Sequence, residues 1–354
     1  MRPIGKEALV TTLDLRRFED WIAHGRYVDR STTSRLGFIL RLVRESRSAR
    51  GVVVNALVGR YELYADLVAA AVIARLPRAP VVLLAEVNWK RGTSAASQLG
   101  RRLAARVLTH PRIFWCVLSE DDRQAVVREW GAHPDRVLVV PSLHTLTDED
   151  LAAEITEDGG VFAGGNTLRD YGPLLEAARS LTVPVTIATN RIDEATRATL
   201  PGHIAVGPVP HDRFLSLLRA AAVVVVPIEG RPERSAGEQT YWNAMALGKL
   251  IVVTDVLGVR EFVDHRRTGL VVPPQDAAAM RAALEWALDP VNAEQVDRIR
   301  TAARLEARGR YGPEHYAARL FSAVRSAEHT ALLPTRGRPS RTPRSRTRLA
   351  RRSR

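Results

Sequence analysis

Short apolar runs of strand length recur along this chain, and stretches with helical spacing lie between them. In the first half these runs are ALVTTL, GVVVNAL, PVVLLAEV, IFWCVLS and RVLVVPS. They are rich in β-branched residues and do not alternate with polar ones, which is typical of strands buried on both faces of a parallel sheet. Helical spacing is found from Tyr61 to Leu76, and Ser119 is a predicted N-cap for a helix from Glu120 to Trp130. The pattern predicts β/α alternation.

The alternation stops after Pro141 and begins again at Val161. The polar stretch between them, SLHTLTDEDLAAEITEDGG, contains no strand-like run, and the later runs are VFAGG, PVTIAT, HIAVG, AVVVVPI, LIVVTD and GLVVPP. A chain of 354 residues suits two domains rather than one. We therefore predict two doubly wound, Rossmann-like α/β domains, residues 1–150 and 151–330, that face each other across a cleft. Ligands are expected at the carboxyl ends of the strands.

The positive charge of the chain is concentrated at its end. The net charge is +13, from 52 basic and 39 acidic residues, and the segment RGRPSRTPRSRTRLARRSR contains nine of the arginines and no acidic residue. Such a segment cannot bury enough apolar surface to order itself, so we predict a disordered tail over residues 331–354. Its composition suits anionic lipid headgroups at the inner face of a membrane. Nonspecific binding of nucleic acid and a contribution to solubility are the alternatives, and no specific nucleic-acid partner is predicted.

The cysteine and histidine content indicates neither a disulfide framework nor a metal site. Cys116 is the single cysteine, and the nine histidines have no metal-ligand spacing. The charged beginning, MRPIGKEALVTTLDLRRFEDW, is unlike a signal peptide, and no apolar run reaches the ~18 residues of a membrane-spanning helix. We expect a cytoplasmic protein, with the tail as its peripheral contact to the membrane, and no bound metal.

The stretch SAGEQTYWNAMALGK passes from one buried strand to the next through a predicted helix, Gly237 to Leu247. Small residues at a helix start expose backbone N–H groups beside the positive end of the helix dipole, so this loop can bind a phosphate. Ser235, Gly237 and Thr240 suit that task, and Asn243 lies one turn beyond Thr240 on the same face. Capping of the helix is the alternative role for Ser235 and Thr240.

Two segments resemble the carboxyl-terminal domain of retaining nucleotide-sugar glycosyltransferases of family four, the group 1 type, which have the two-Rossmann GT-B fold. One is SAGEQTYWNAMALGKLIVVTDVLGVREFVDHRRTGLVVPPQD, Ser235 to Asp276, and the other is VFAGGNTLRDYGPLLEA, Val161 to Ala177. Before Pro141 the resemblance is architectural only. It implies a hexosyltransferase-type enzyme that moves a sugar from a nucleoside-diphosphate sugar to an acceptor hydroxyl with retention. The nucleotide sugar is a co-substrate, and no cofactor is implied.

The resemblance also implies roles for individual residues. The two glutamates of the family, eight residues apart, fall on Ser235, near the donor sugar, and on Asn243, at the ribose. Arg169 matches a lysine of the family and is expected to bind the donor diphosphate and offset the charge of the leaving group. A salt bridge to its neighbour Asp170 is the alternative. The remaining expected donor contacts are Gly164, Gly165, Asn166, Pro208, Val209 and Ala236, with Pro208 and Val209 at the nucleobase.

In the first domain, polar residues follow two predicted strands at the edge where the cleft is expected. They are Asn55, Glu86, Asn88 and Trp89. Glu86 or Asn88 is a candidate for binding the acceptor or its attacking hydroxyl, and polar strand ends that only confer solubility are the alternative. Glu261 is a further candidate, for a donor contact or for a capping turn. The acceptor itself, whether a glycan, a lipid or a small molecule, is left open.

Three other functions compete with sugar transfer. Ser235 and Asn243 replace the two glutamates, which leaves a catalytically weak nucleotide- or sugar-binding scaffold as an alternative. A nucleotide-sugar 2-epimerase shares the fold but needs paired acidic residues and a histidine in the cleft, which are not evident here. A dinucleotide oxidoreductase is disfavoured, because no G-x-G-x-x-G follows the first strand of either domain.

Overall fold

The computed structural model describes residues 9–14, 16, 25–31, 34–56, 63–87, 102, 104–154, 157, 159–232 and 234–332. The first domain is built on a six-stranded sheet in which every pairing is parallel, in the order β2-β1-β3-β4-β5-β6. Its strands are β1 (Leu9–Thr11), β2 (Gly25–Tyr27), β3 (Gly51–Asn55), β4 (Val81–Ala85), β5 (Ile113–Val117) and β6 (Val137–Val139). The five predicted strands are confirmed. The edge strand β2 was not predicted, because GRY is short, half-exposed and has an arginine at its centre.

Helices α1 (Arg35–Ser46), α2 (Leu63–Ala74) and α3 (Glu120–Trp130) belong to this domain. Local signals define α3 at both ends. The Ser119 hydroxyl accepts the Asp122 backbone N–H at 3.0 Å, and Gly131 ends the helix with a φ of +66°. The predicted helix from Glu120 to Trp130 is therefore confirmed at both ends.

The second domain repeats the architecture. Its strands are β7 (Val161–Gly164), β8 (Val185–Ala188), β9 (Ile204–Gly207), β10 (Val223–Val226), β11 (Leu250–Thr254) and β12 (Leu270–Val272), all paired in parallel in the order β12-β11-β10-β7-β8-β9. The helices that precede or surround this sheet are α4 (Asp148–Ala152), α5 (Gly172–Ala178), α6 (Glu194–Ala198), α7 (His211–Ala220), α8 (Glu238–Ala246), α9 (Val259–Phe262), α10 (Ala277–Leu288) and α11 (Ala293–Arg310). Two doubly wound α/β domains are thus confirmed.

The last helix, α12 (Pro313–Leu332), returns to the first domain. Its buried residues Tyr316, Leu320 and Val324 share one hydrophobic core with Leu9 and other residues of the first sheet. A β-carbon on Gly51 would lie 2.8 Å from the Val324 side chain, so the helix packs directly against β3. The amphipathic pattern of YGPEHYAARLFSAVRS, Tyr311 to Ser326, predicts a helix that packs back across the domains. Residues 313–332 do so, and they complete the core of the first domain.

Candidate functional site

A cavity of about 590 Å³ lies where the carboxyl ends of the two sheets face each other. Asn55 ends β3, Glu86 follows β4 and Gly165 follows β7, and all three line the cavity. This is the position in which doubly wound domains bind ligands. Of the site residues predicted from the sequence, those in the lining are Asn55, Glu86, Gly165, Asn166, Arg169, Ala236, Gly237 and Thr240.

The turn after β7 holds a buried arginine against this cavity. Gly165 has a φ of +110°, and a β-carbon there would lie 3.2 Å from Nη2 of Arg169. The guanidinium donates from Nε to the Gly164 carbonyl at 3.3 Å and from Nη1 to the Thr167 carbonyl at 2.9 Å. A third hydrogen bond runs from Nη2 to Oγ1 of Thr240 at 3.4 Å. All three hydrogen-bond partners are uncharged, and the carboxyl of Glu238 is the nearby acidic group that acts on this charge. Burial lowers the pKa of Arg169.

The start of α8 lies beside this arginine. Gly237 is the N-cap, with a φ of +90° and no side chain to cap the helix. A β-carbon at Gly237 would lie 2.7 Å from Val226 and 3.5 Å from Nη1 of Arg169. Only glycine therefore fits, and the helix N-terminus, the guanidinium and the Thr240 hydroxyl converge on one wall of the cavity. Such a wall favours an anion.

Ser235, predicted to be near the donor sugar, is turned away from the cavity. Its side chain is buried, and its backbone N–H donates to Oδ1 of Asp122 in the first domain at 2.8 Å. Its hydroxyl donates to Oδ2 of the same carboxylate. Ser235 is thus a contact between the domains in this structure and is not among the residues that line the cavity.

Asn243 also has both side-chain polar groups engaged. Oδ1 accepts the backbone N–H of Thr145 at 2.8 Å, and Nδ2 donates to the Thr145 hydroxyl at 3.0 Å. The asparagine is buried, and it joins α8 to the segment that links the two domains. The ribose contact that the resemblance implies has no support in this geometry, because a ribose would have to replace Thr145.

Three predicted donor contacts lie behind or beside the cavity lining. Gly164 packs beneath the ring of Phe214, where any side chain would clash. Val209 is half-buried against the hydrophobic core, and Pro208 is exposed. Asn166 does line the cavity, and its Oδ1 accepts the Thr189 hydroxyl at 2.7 Å.

On the first-domain side, Glu86 lines the cavity with a φ of +54°. Its Oε1 accepts the Ser142 hydroxyl at 2.8 Å, and burial raises the pKa of the carboxyl. A carboxylate whose pKa is raised can take a proton, or accept a hydrogen bond, from the hydroxyl group of the sugar acceptor. Asn88 and Trp89, the other candidates there, lie outside the described residues.

Glu261 caps a helix of the other domain. Its carboxylate accepts the backbone N–H groups of Glu120 and Asp121 at 2.9 and 3.1 Å, which are the first two residues of α3. Glu261 is therefore a helix cap, which was one of its two predicted roles. The helix that it caps is α3 of the first domain and not α9, to which Glu261 belongs.

The sequence also contains an acidic triplet, Asp148–Asp150, with D-x-D spacing. Here it begins α4, where Thr147 and Asp150 form a reciprocal capping box and Asp150 pairs with Arg219 at 2.6 Å. Within the described part of the chain, no cluster of three or more histidine, cysteine, aspartate or glutamate residues could hold a metal ion.

Sequence reasoning missed Glu238, the first residue of α8. It lines the cavity and is only 7% exposed, and its Oε1 has no hydrogen-bond partner among the described residues. An acidic residue in a first helical turn normally complements the helix dipole at the surface, so its burial could not be predicted from its position.

The two Rossmann-like domains and the anion-favouring wall of their cleft define a GT-B architecture. Residues 163–289, within the second domain, match the family model of the group 1 glycosyl transferases. No curated protein sequence matches this chain. None of the helices in the described residues is long and apolar enough to cross a membrane.

Several solved structures share the fold over most of the chain. HepE from Anabaena in complex with UDP and glucose is 13% identical, with a TM-score of 0.63 and 86% of each chain covered. A glycosyltransferase from Rickettsia africae is 12% identical, with a TM-score of 0.60 and 90% of each chain covered. Sucrose-phosphate synthase from Thermosynechococcus elongatus is 15% identical, with a TM-score of 0.60, and covers 86% of this chain and 81% of its own. These similarities confirm the GT-B fold.

Proposed function

We propose that this protein is a glycosyltransferase that moves a sugar from a nucleoside-diphosphate sugar to an acceptor hydroxyl with retention. The observation that carries the proposal is the convergence of Arg169 and the N-terminus of α8 on the interdomain cavity. Both favour negative charge, and the leaving group of such a transfer is a nucleoside diphosphate. The group 1 match over residues 163–289 and the UDP and glucose bound by HepE support the same assignment.

Sugar transfer with retention does not require an acidic or basic side chain to move a proton. In a retaining transfer the departing phosphate can itself accept the proton of the acceptor hydroxyl, so the protein has to hold the substrates and stabilise the diphosphate. Arg169 and the α8 N-terminus perform the second task. Glu86 lies across the cavity and is suited to orient the acceptor hydroxyl.

The test is incubation of the protein with UDP-, GDP-, ADP- and dTDP-sugars, with and without added sugar or lipid acceptors. We expect release of one nucleoside diphosphate, unchanged by EDTA and abolished by Arg169→Ala. The product should keep the anomeric configuration of the donor in an NMR spectrum. Inversion at the anomeric carbon would contradict retention, and an absence of turnover with every donor would contradict the enzymatic assignment.

A binding scaffold is the second candidate, and one observation favours it. Ser235 and Asn243, at the positions of the family's two glutamates, are both engaged in contacts that join the domains. Tight binding of a nucleotide sugar without its hydrolysis or transfer would favour the binding scaffold over the transferase.

We further propose that the arginine-rich tail brings a cytoplasmic enzyme to an anionic membrane. Helix α12 ends at Leu332, so the first two residues of the predicted tail, 331 and 332, are helical and the tail prediction is wrong there. Residues 333–354 lie outside the described residues. Cosedimentation of the full chain with phosphatidylglycerol vesicles but not with phosphatidylcholine vesicles is expected. Replacement of the nine arginines from Arg336 to Arg354 by serine should abolish it. Equal sedimentation of this variant would contradict the proposal.

A further inference from the structure

Glu238 places a carboxyl group in the wall that favours anions. It is 7% exposed, it lines the same cavity as Arg169, and its Oε1 has no hydrogen-bond partner among the described residues. A buried polar atom without a partner costs free energy, and in a ligand site it marks a position where the ligand supplies the partner. The hydrogen bonds that the carboxyl receives from its own backbone and from Ser235 leave Oε1 without a partner.

Four titratable or charged groups face Glu238 from the elements around it. Asp122 comes from α3 of the first domain, Arg234 from the loop before α8, Arg169 from the turn after β7, and Tyr241 from α8 itself. The pKa of Glu238 is raised to about 7, mainly by burial and also by the Asp122 carboxylate. Hydrogen bonds from its own backbone and from Ser235, and the charge of Arg234, oppose this shift. A diphosphate bound beside Glu238 would add negative charge and favour the protonated carboxyl still more.

We propose that Glu238 is protonated in the donor complex and donates a hydrogen bond through its carboxyl O–H to a diphosphate oxygen of the nucleotide sugar. This rests on the proposed function, because it assigns a residue to the same donor site. Where Glu238 is ionised in the free protein, binding takes one proton from the solvent and breaks no covalent bond. An ionised Glu238 would instead repel the diphosphate that Arg169 attracts.

The proposal fixes the sign of the pH dependence. Below about pH 7 most molecules have the neutral carboxyl and can bind without a further proton, whereas above it the binding-competent fraction falls. If only the protonated form binds, the apparent Kd at pH 8 is about tenfold higher than at pH 6. At pH 7.5 each binding event takes up about 0.8 of a proton on average.

The experiment is isothermal titration calorimetry of the full chain with UDP-glucose, GDP-mannose and ADP-glucose at pH 6, 7 and 8, in buffers of different ionisation enthalpy. Sugar nucleotides are used because the phosphates of their diphosphate are esterified at both ends, whereas a terminal phosphate titrates near pH 6 and would mask the effect. Glu238→Gln is the central variant, since its amide resembles the protonated carboxyl in shape and donates a hydrogen bond.

Two further variants separate Glu238 from other carboxyls. Glu229→Gln removes an exposed carboxylate that pairs with Arg191, and it should keep the pH slope and the proton uptake of the wild type. Glu86→Gln removes the other cavity carboxyl whose pKa is raised by burial, and it should keep the proton uptake as well. Circular dichroism and the melting temperature confirm that each variant is folded.

The expected result is a tenfold slope and proton uptake in the wild type, with Glu238→Gln binding at every pH within about threefold of the wild-type value at pH 6. Binding that is independent of pH, that strengthens as pH rises, or that loses its pH slope in Glu86→Gln would overturn the role of Glu238 while leaving the donor site intact. No binding of any sugar nucleotide at any pH would overturn the proposed function and this inference with it.

Discussion

Asp122 and Ser235 join the two domains directly beside the candidate donor site. The Ser235 backbone N–H donates to Oδ1 of Asp122 at 2.8 Å, and the serine hydroxyl donates to Oδ2. The same Oδ2 also accepts the Ser119 hydroxyl at 2.8 Å. The loop that begins α8 is therefore held by the first turn of α3, so the position of one wall of the cavity depends on contacts made by the other domain.

Ser235→Ala tests whether this serine acts on the donor or between the domains. We expect the free energy of unfolding to fall by about 1.5–3 kcal/mol, because one hydrogen bond to a buried carboxylate is lost. The Kd for the best nucleotide should stay within about twofold, since the side chain does not line the cavity. Denaturant titration and calorimetry measure the two quantities. A large loss of nucleotide affinity at unchanged stability would show that Ser235 contacts the donor.

Asn243 and Thr145 are suited to a double-mutant cycle. Asn243→Ala should lower the free energy of unfolding by about 1–3 kcal/mol, because it leaves the part-buried N–H of Thr145 without its partner. Thr145→Val removes only the bond from Nδ2 to the hydroxyl, and the two changes should be non-additive by about 0.5–3 kcal/mol. Additive effects would show that the pair does not act as one contact.

Gly165→Ala should disturb the turn that holds Arg169. The alanine would have to adopt a φ of +110° and would approach Nη2 of Arg169, so we expect a stability loss of about 1–3 kcal/mol and weaker nucleotide binding. Gly202→Ala is the matched control, because a β-carbon there has no atom within 4 Å. Thermal unfolding with and without nucleotide distinguishes them. Equal behaviour of the two variants would be evidence against the proposed constraint at Gly165.

Glu238 should also make the stability of the protein depend on pH. Burial raises its pKa from 4.5 to about 7. A carboxyl whose pKa is raised on folding stabilises the folded state below its unfolded pKa, and this contribution is lost as pH rises through the folded pKa. The free energy of unfolding should therefore fall by roughly 3 kcal/mol between about pH 4.5 and pH 7 relative to Glu238→Gln. Chemical denaturation of both proteins over this range checks the prediction, and parallel curves would contradict it.

Local signals explain how much of the fold could be predicted from the sequence. The Ser119 cap and the Gly131 stop lie next to α3 in the chain, and the predicted helix matches the observed one at both ends. The buried strands were equally visible as apolar runs, whereas the edge strand β2 has no such run. The amphipathic pattern from Tyr311 to Ser326 predicts that α12 returns across the domains, but its contact with β3, far away in sequence, is visible only in the structure.

The candidate site was predictable where it depends on neighbours in the chain and not where its contacts are distant. Gly165 and Arg169 lie in one turn, and the structure places both on the cavity. The partners of Ser235 and Asn243 are Asp122 and Thr145, 113 and 98 residues away. Their engagement between the domains could not be deduced from the resemblance.

Nucleotide binding by Arg169 variants tests the central claim most directly. Isothermal titration calorimetry should first find the nucleoside diphosphate that the wild type binds, and then compare Arg169→Ala with Arg191→Ala. Arg191 donates to the carbonyl of Asn166 in the same turn but pairs with Glu229, so it is a matched control. We predict that Kd rises about 10- to 100-fold in Arg169→Ala and stays within about twofold in Arg191→Ala. Wild-type affinity in Arg169→Ala, or no nucleotide binding by the wild type, would contradict the donor site.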